Sequence, residues 1–221
     1  MTNEIQTIVT FVLDRSGSMS SVKSKVISGF NEYVEGMKSN DEATVIRLNA
    51  FDNKSNDVIY DFEDINHVRR LSGEDYIPGG LTPLYDAIGQ SVSATEEFVK
   101  GSETESQVIV TIMTDGLENA SIEYGIKDVH ALISNKEKEG WQFVYLGANQ
   151  DSWEMGAGMG ISHQRVSNYD ASNPDSALKT ISETTRRMRS SMRENQDVGS
   201  IFTAEELEKL NKKKDQWRRS Q

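Results

Sequence analysis

The sequence predicts an α/β protein built on a doubly wound, mostly parallel sheet, with helices on both faces and one antiparallel edge strand. Three observations predict it. Residues 7–13 and 108–113 are near-continuous apolar runs, Ile8-Val9-Thr10-Phe11-Val12-Leu13 and Val108-Ile109-Val110-Thr111-Ile112-Met113, the pattern of strands covered on both sides. Segments with helical spacing separate the strand-like runs, and such alternation gives parallel strands joined by crossover helices. Turn chemistry at Asp52-Asn53-Lys54-Ser55-Asn56 falls between two strand-like segments close enough to pair as a hairpin, which supplies the antiparallel strand.

In chain order, the first strand is followed by a helix over 21–38, where Val22, Val26, Ile27, Phe30, Val34 and Met37 recur at helical spacing. Thr44–Phe51 and Asp57–Phe62 are the hairpin strands, and a short helix is expected near His67–Leu71. Pro83 stands just inside a helix reaching about Val99, in the first turn, where its missing N–H is not needed. Gly101-Ser102-Glu103-Thr104 is a surface loop, Ser106–Met113 a central strand, and Ile122–Glu139 a helix that Gly140 stops. Trp141–Leu146 reads as a fifth strand, Trp153–Gly160 as a short glycine-containing helix, His163–Val166 as an edge strand and Pro174–Arg193 as a longer helix. No fixed-period repeat or low-complexity tract interrupts this order. Thr203-Ala204-Glu205-Glu206 is then a capping box opening a helix through Leu207 and Leu210, with Lys212-Lys213-Lys214, Trp217 and Arg218-Arg219 beyond it. Residues 1–199 thus read as one domain and 200–221 as a charged helical tail. The tail reads as a solvated helix whose basic end complements the helix dipole, with a docking segment as the alternative.

A chain of 221 residues fits one large domain with appendages better than two equal domains. Hydrophobic content is 36%, but it is grouped in short runs, enough for a core, and no run is long enough to span a bilayer. Met1-Thr2-Asn3-Glu4-Ile5 lacks the basic and apolar regions of a signal peptide. Cysteine is absent, which excludes disulfides and thiol chemistry. A cytoplasmic location is the resulting expectation. The net charge of −11 repels phosphate backbones, so a nucleic-acid partner is not expected, and without a bilayer-spanning run neither is a membrane partner. It attracts cations, although acidity also serves solubility alone.

Functional chemistry concentrates in three segments. Asp14-Arg15-Ser16-Gly17-Ser18 follows the first strand, Gly79-Gly80-Leu81-Thr82-Pro83-Leu84-Tyr85-Asp86 precedes a helix, and Thr114-Asp115-Gly116 follows the central strand. Together they offer the carboxylates of Asp14 and Asp115 and the hydroxyls of Ser16, Ser18 and Thr82, a hard-oxygen set suited to a small divalent cation. Asp14 and Asp115 both fall at predicted strand ends, and they converge if the first and fourth strands are neighbours where the strand order reverses. Neutral hydroxyl donors leave an ion incompletely neutralised, which favours a carboxylate from outside. Gly17 and Gly79-Gly80 let the backbone bend close to such an ion. The competing reading, that Asp14 and Ser16 only cap the first helix, accounts for neither Thr82 nor Asp115.

On these residues the chain resembles the von Willebrand factor A (VWA) family, or integrin I-like domains. The match is to the family's metal-ion-dependent adhesion site, Asp-x-Ser-x-Ser followed by a loop Thr and a loop Asp, here Asp14-Arg15-Ser16-Gly17-Ser18, Thr82 and Asp115. It covers roughly residues 5–195. The Gly-Gly-x-Thr-Pro-Leu-Tyr-Asp-Ala run and Leu146-Gly147-Ala148-Asn149-Gln150-Asp151 look like compact, free-standing VWA proteins of bacteria and their phages. The resemblance implies a Rossmann-like VWA fold, direct ligation by the two serines, and aspartates often acting through water. It also implies a protein partner whose Asp or Glu carboxylate completes the coordination. Leu81 departs from the pattern, since many members carry a threonine there. Thr82 remains the better ligand candidate because Pro83 follows it as the helix start.

The expected function is therefore a metal-dependent protein-binding module using Mg2+, with Mn2+ an alternative and Ca2+ disfavoured by a small hydroxyl-rich site. Other expectations from different classes are a metal-assisted phosphohydrolase and a self-assembling structural protein. A homo-oligomer or an ATPase assembly is a further partner class the resemblance suggests. No catalytic residue is assigned. His67, His130 and His163 lie outside the three segments, and no pairing supports a serine nucleophile at Ser16 or Ser18. Asp86 reads as a support for the site or as a solvated helix residue, Asp52 and Asp57 as hairpin-loop residues, and Glu118 and Asn119 as rim residues or a plain turn. Asn149 and Asp151 read as rim residues or, at Asp151 or Ser152, a helix cap. Met155 and Met159 read as core filling. Gly156-Ala157-Gly158-Met159-Gly160 lacks the lysine of a phosphate-binding loop.

Overall fold

A computed structural model describes residues 5–38, 43–148, 152–194, 196 and 198–210. Asn149, Asp151 and the basic stretch from Lys212 lie outside the described residues.

The continuous apolar run at the start becomes β1 (Gln6–Asp14), in the interior of the sheet. Its alternate side chains serve two cores, Val9, Phe11 and Leu13 on one face and Ile8 and Val12 on the other. That double coverage is why the strand reads as unbroken apolar sequence. The strand order is β3-β2-β1-β4-β5-β6, with β2 at Thr44–Phe51, β3 at Asn56–Asp64, β4 at Ser106–Thr114, β5 at Gln142–Gly147 and β6 at Val166–Asn168. Every pairing is parallel except the β2–β3 hairpin. The predicted doubly wound α/β sheet with one antiparallel edge is thus what the chain forms.

A 3-10 turn (Gly17–Val22) leads into α1 (Lys23–Met37). This helix, α5 (Pro174–Arg193) and α6 (Ala204–Leu210) cover the Val9–Phe11–Leu13 face. The opposite face is covered by α2 (Leu84–Gly101) and α3 (Ile126–Lys138), with α4 (Ser152–Gly158) packed beside them. Helices α1 and α5 approach so closely that a Cβ at Gly29 would stand 2.7 Å from the Asp175 Cα and 3.0 Å from Leu178 Cδ1. Beneath them Phe30 meets Phe11 edge-on at 5.3 Å and stacks with Tyr33 at 6.0 Å.

Four local expectations change. The opening turn of the predicted 21–38 helix is 3-10, and α1 starts at Lys23. No helix forms at His67–Leu71, because the Asn31 side chain takes up the backbone of Leu71 instead, its amide donating to the Leu71 carbonyl (3.0 Å) and its oxygen accepting the Leu71 N–H (2.7 Å). Helix α3 begins at Ile126 rather than Ile122, because the Asp86 carboxylate accepts the N–H groups of Ile122, Glu123 and Tyr124 at 2.8, 2.9 and 2.8 Å and holds them in a loop. His163–Arg165 is a 3-10 turn, and the edge strand lies just after it.

The capping box at Thr203 forms as read, with the Thr203 N–H donating to Glu206 Oε2 (2.8 Å) and the Glu206 N–H to Thr203 Oγ1 (3.2 Å). Ile201, Phe202 and Leu210 are buried in the α1–α5 core, and Arg187 pairs with Glu206 at 2.7 Å. The described part of the C-terminal segment is therefore packed rather than solvated.

Candidate metal centre

Strands β1 and β4 are neighbours, with Leu13 opposite Met113, so Asp14 and Asp115 leave the sheet side by side at its carboxyl edge. The order reverses between these two strands, the position where open α/β sheets bind ligands. Asp14 ends β1 and is fully buried. Its Oδ1 accepts the Ser16 N–H at 2.6 Å and its Oδ2 the Thr114 hydroxyl at 2.5 Å. Ser16 Oγ lies 3.1 Å from Ser18 Oγ, and the Ser18 hydroxyl donates to Asp115 Oδ1 at 2.6 Å. Thr82 joins them across Gly116, where an added Cβ would be 2.9 Å from Thr82 Oγ1 and 3.7 Å from Asp14 Oδ2. All five residues singled out in the sequence thus gather from three loops. Ser16 stands at the N-cap position of the 3-10 turn, yet its side chain makes no cap bond.

The first two loops are joined to each other and to the tip of the β2–β3 hairpin. Gly17 N–H donates to the Gly80 carbonyl at 3.1 Å, Gly79 N–H to the Arg15 carbonyl at 2.8 Å, and the Tyr76 hydroxyl to the Asp14 carbonyl at 2.6 Å. Arg15, buried, reaches Asp52 at 3.2 Å and Asp57 at 2.6 Å and also donates to Ser55. Asn53 brackets Leu81 from both sides, its N–H donating to the Leu81 carbonyl (3.2 Å) and its Oδ1 accepting the Leu81 N–H (2.7 Å). Gly80, at φ +76°, lies so close beneath Asn53 Oδ1 that no side chain fits.

The second and third loops are joined differently. Asn119 Oδ1 accepts the Thr82 N–H at 2.9 Å, and the Asn119 N–H donates to the Thr82 carbonyl at 3.2 Å. The Glu118 carboxylate accepts the N–H groups of Tyr85 (3.0 Å), Ala120 (2.8 Å) and Ser121 (2.7 Å). Asp86, also buried, pins residues 122–124 and is no solvated helix residue. Asn119 and Glu118 therefore brace the Thr82 loop, while Asp52 and Asp57 are hairpin residues that hold Arg15. Arg15 and Asn53 escaped sequence reading because their partners lie up to 42 residues away. None of the three histidines enters the centre: His67 bonds Asp64 at 3.0 Å, His130 faces Ser134 at 3.4 Å and His163 stacks on Trp153 at 4.2 Å.

Burial dominates the electrostatics of both carboxylates. Burial pushes the Asp14 carboxyl above the ordinary carboxylate range, against the lowering pull of the Thr114 and Ser16 hydrogen bonds, and the Asp115 charge adds to the rise. Burial likewise raises Asp115, opposed by the Ser18 hydrogen bond. Neither carboxylate is ion-paired to a Lys or Arg among the described residues, where the neighbouring Arg15 is taken up by Asp52 and Asp57. The donor set fits a divalent cation on these grounds: two carboxylates lack a cationic partner among the described residues, three hydroxyls stand beside them, and Ser18 keeps one side open to solvent. Among the described residues no group of three or more His, Cys, Asp or Glu side chains forms an alternative metal cluster.

Comparisons with known proteins bear on the fold. No protein-family model matches the sequence, and no curated protein matches it. Solved structures do. The von Willebrand factor domain of the type V pili tip protein Mfa5 from Porphyromonas gingivalis superposes with a TM-score of 0.54 at 10% identity, over 84% of this chain and 96% of that one. Proximal thread matrix protein 1 from the mussel byssus, solved with a zinc-occupied metal-ion-dependent adhesion site, gives 0.54 at 17% identity, over 81% of this chain and 47% of its own. The pilus adhesin SpaC from Lactobacillus rhamnosus GG, in an open conformation, gives 0.61 at 10% identity, over 82% of this chain and 30% of its own. The chain has the von Willebrand factor A fold.

Proposed function

We propose that this protein is a metal-dependent protein-binding module. Ser16, Ser18 and Thr82, with Asp14 and Asp115, hold one divalent cation at the carboxyl edge of the sheet, and an Asp or Glu carboxylate of a partner protein completes its coordination. The observation that carries this reading is the run of oxygens from Ser16 through Ser18 to Asp115, at 3.1 and 2.6 Å, beside a buried Asp14 with no cationic partner. The ion supplies positive charge and an exchangeable coordination position. The chain's own residues supply the rest: Asp14 orients the Ser16 backbone, Thr114 orients Asp14, and the bracing of Leu81 and Thr82 fixes the second loop. Mg2+ is the preferred ion and Mn2+ the alternative, because small hydroxyl-rich sites suit them better than Ca2+. The zinc-occupied site of the mussel protein supports a divalent ion in this fold without selecting one.

A hydrolase reading has less support. Metal-assisted hydrolysis needs a group to move protons beside the ion, and the only titratable side chains among the five are the two carboxylates expected to hold it. The test is calorimetric titration of Mg2+ and Mn2+ into the protein and into Asp14→Ala, followed by capture of partners in Mg2+ and elution with EDTA. Wild type is expected to bind one ion and release its partners with EDTA, and the variant to do neither. An unchanged ion affinity in Asp14→Ala contradicts the assignment.

A further inference from the structure

Four of the six large apolar side chains exposed among the described residues lie in the loops around the candidate centre: Ile77 (59%), Leu81 (49%), Leu117 (49%) and Ile122 (92%). Leu81 immediately precedes Thr82, and Leu117 immediately follows Gly116, where an added Cβ would stand 2.9 Å from Thr82 Oγ1. Ile77 lies between Tyr76, which bonds the Asp14 carbonyl, and Gly79, which bonds the Arg15 carbonyl. Ile122 is held by Asp86 at the start of α2. The leucines are fixed there: Leu81 has both backbone groups tied to Asn53, and the residues after Leu117 are tied to Thr82 and Tyr85. The two leucines therefore face water, one in the loop that carries Thr82 and one in the loop that carries Asp115.

We infer that the partner's metal-bridging carboxylate is set within an apolar segment, and that this segment covers Leu81 and Leu117. This rests on the proposed function above. An exposed ion exchanging water for a free carboxylate gains little, because water screens the attraction. Apolar contacts that exclude water around a central polar contact lower the local dielectric and strengthen it. The charge balance narrows the partner further. A protein of net charge −11 repels a polyacidic segment, so the fitting partner carries a single acidic residue with apolar neighbours and neutral or basic flanks.

The test uses three synthetic peptides with lysines at both ends: Glu flanked by Leu and Phe, Glu flanked by Ser and Gly, and Gln flanked by Leu and Phe. Their binding is measured in Mg2+ and in EDTA, alongside Mn2+ affinity. The apolar Glu peptide is expected to bind only in Mg2+, at least about tenfold more tightly than the polar one. Leu117→Ser should remove most of that difference while leaving Mn2+ affinity at the wild-type value. Equal Mg2+-dependent binding of both Glu peptides to the wild-type protein overturns this inference but keeps the carboxylate bridge. Mg2+-independent binding, a Gln peptide as good as the Glu peptide, or no binding at all overturns the bridge and the inference together.

Discussion

The α1–α5 face and the carboxyl-edge rim are held by different forces. On the helix face, Phe30, Tyr33, Leu178 and Ile181 are fully buried, and α1 and α5 touch backbone to backbone at Gly29. On the rim, order comes from side-chain oxygens gripping backbone N–H groups: Asn53 on Leu81, Asn119 on Thr82, Asp86 on 122–124. Burial of apolar area is large and non-directional. Hydrogen bonds contribute less each but fix position. The division implies that stability resides mainly in the helix face and geometry in the rim, so the two should respond separately to substitution.

The largest expected effect is on the helix face. Phe30→Ala removes a fully buried ring and should cost about 3–5 kcal/mol, read as a lower denaturant midpoint, while a variant that still folds keeps its Mn2+ affinity. A lost site in a folded Phe30→Ala protein would break the division. Next, Gly29→Ala forces a methyl to 2.7 Å from the Asp175 backbone and should cost about 1–3 kcal/mol through helix displacement. Thermal unfolding checks it, and a neutral result would mean that α5 shifts freely.

Rim substitutions should reverse the pattern. Asn53→Ala releases Leu81 and should cost about 1 kcal/mol in stability, yet weaken Mn2+ binding several-fold, because Thr82 is the next residue. Calorimetry on that variant sharpens the comparison: stability loss with unchanged affinity would make the hairpin tip a structural prop only. The smallest effect concerns the loop leading to the rim. Arg69 and Ser72 hold the Asp75 carboxyl well below the ordinary carboxylate range. A depressed carboxylate contributes stability that is complete above its unfolded value and lost as pH falls toward its folded one. Acid unfolding curves should therefore show wild type losing its advantage over Asp75→Asn only below about pH 4. Since Arg69 is largely exposed, solvent screening keeps the advantage small.

The same division explains what the sequence made legible. Strands β1, β2 and β4, helix α5 and the capping box at Thr203 could be read because apolar runs, periodicity and caps are local signals. That the five candidate residues converge was legible because each stands at a strand end or helix start, where position in the fold follows from position in the chain. The supports were legible at most as one of two alternatives. Asp86 looks like any first-turn acid, yet it delays α3 by holding residues 122–124, and Asn31 looks like a polar helix residue, yet it replaces a helix at 67–71. Long-range side-chain-to-backbone bonds leave no periodic trace, and they are what set the rim.

Mn2+ soaked into crystals and located by its anomalous signal tests the central claim most directly. The account predicts one strong peak bounded by Ser16, Ser18, Thr82 and Asp115 with Asp14 behind it, absent in Asp14→Ala. No peak among those residues, or a peak that survives that substitution, would contradict it.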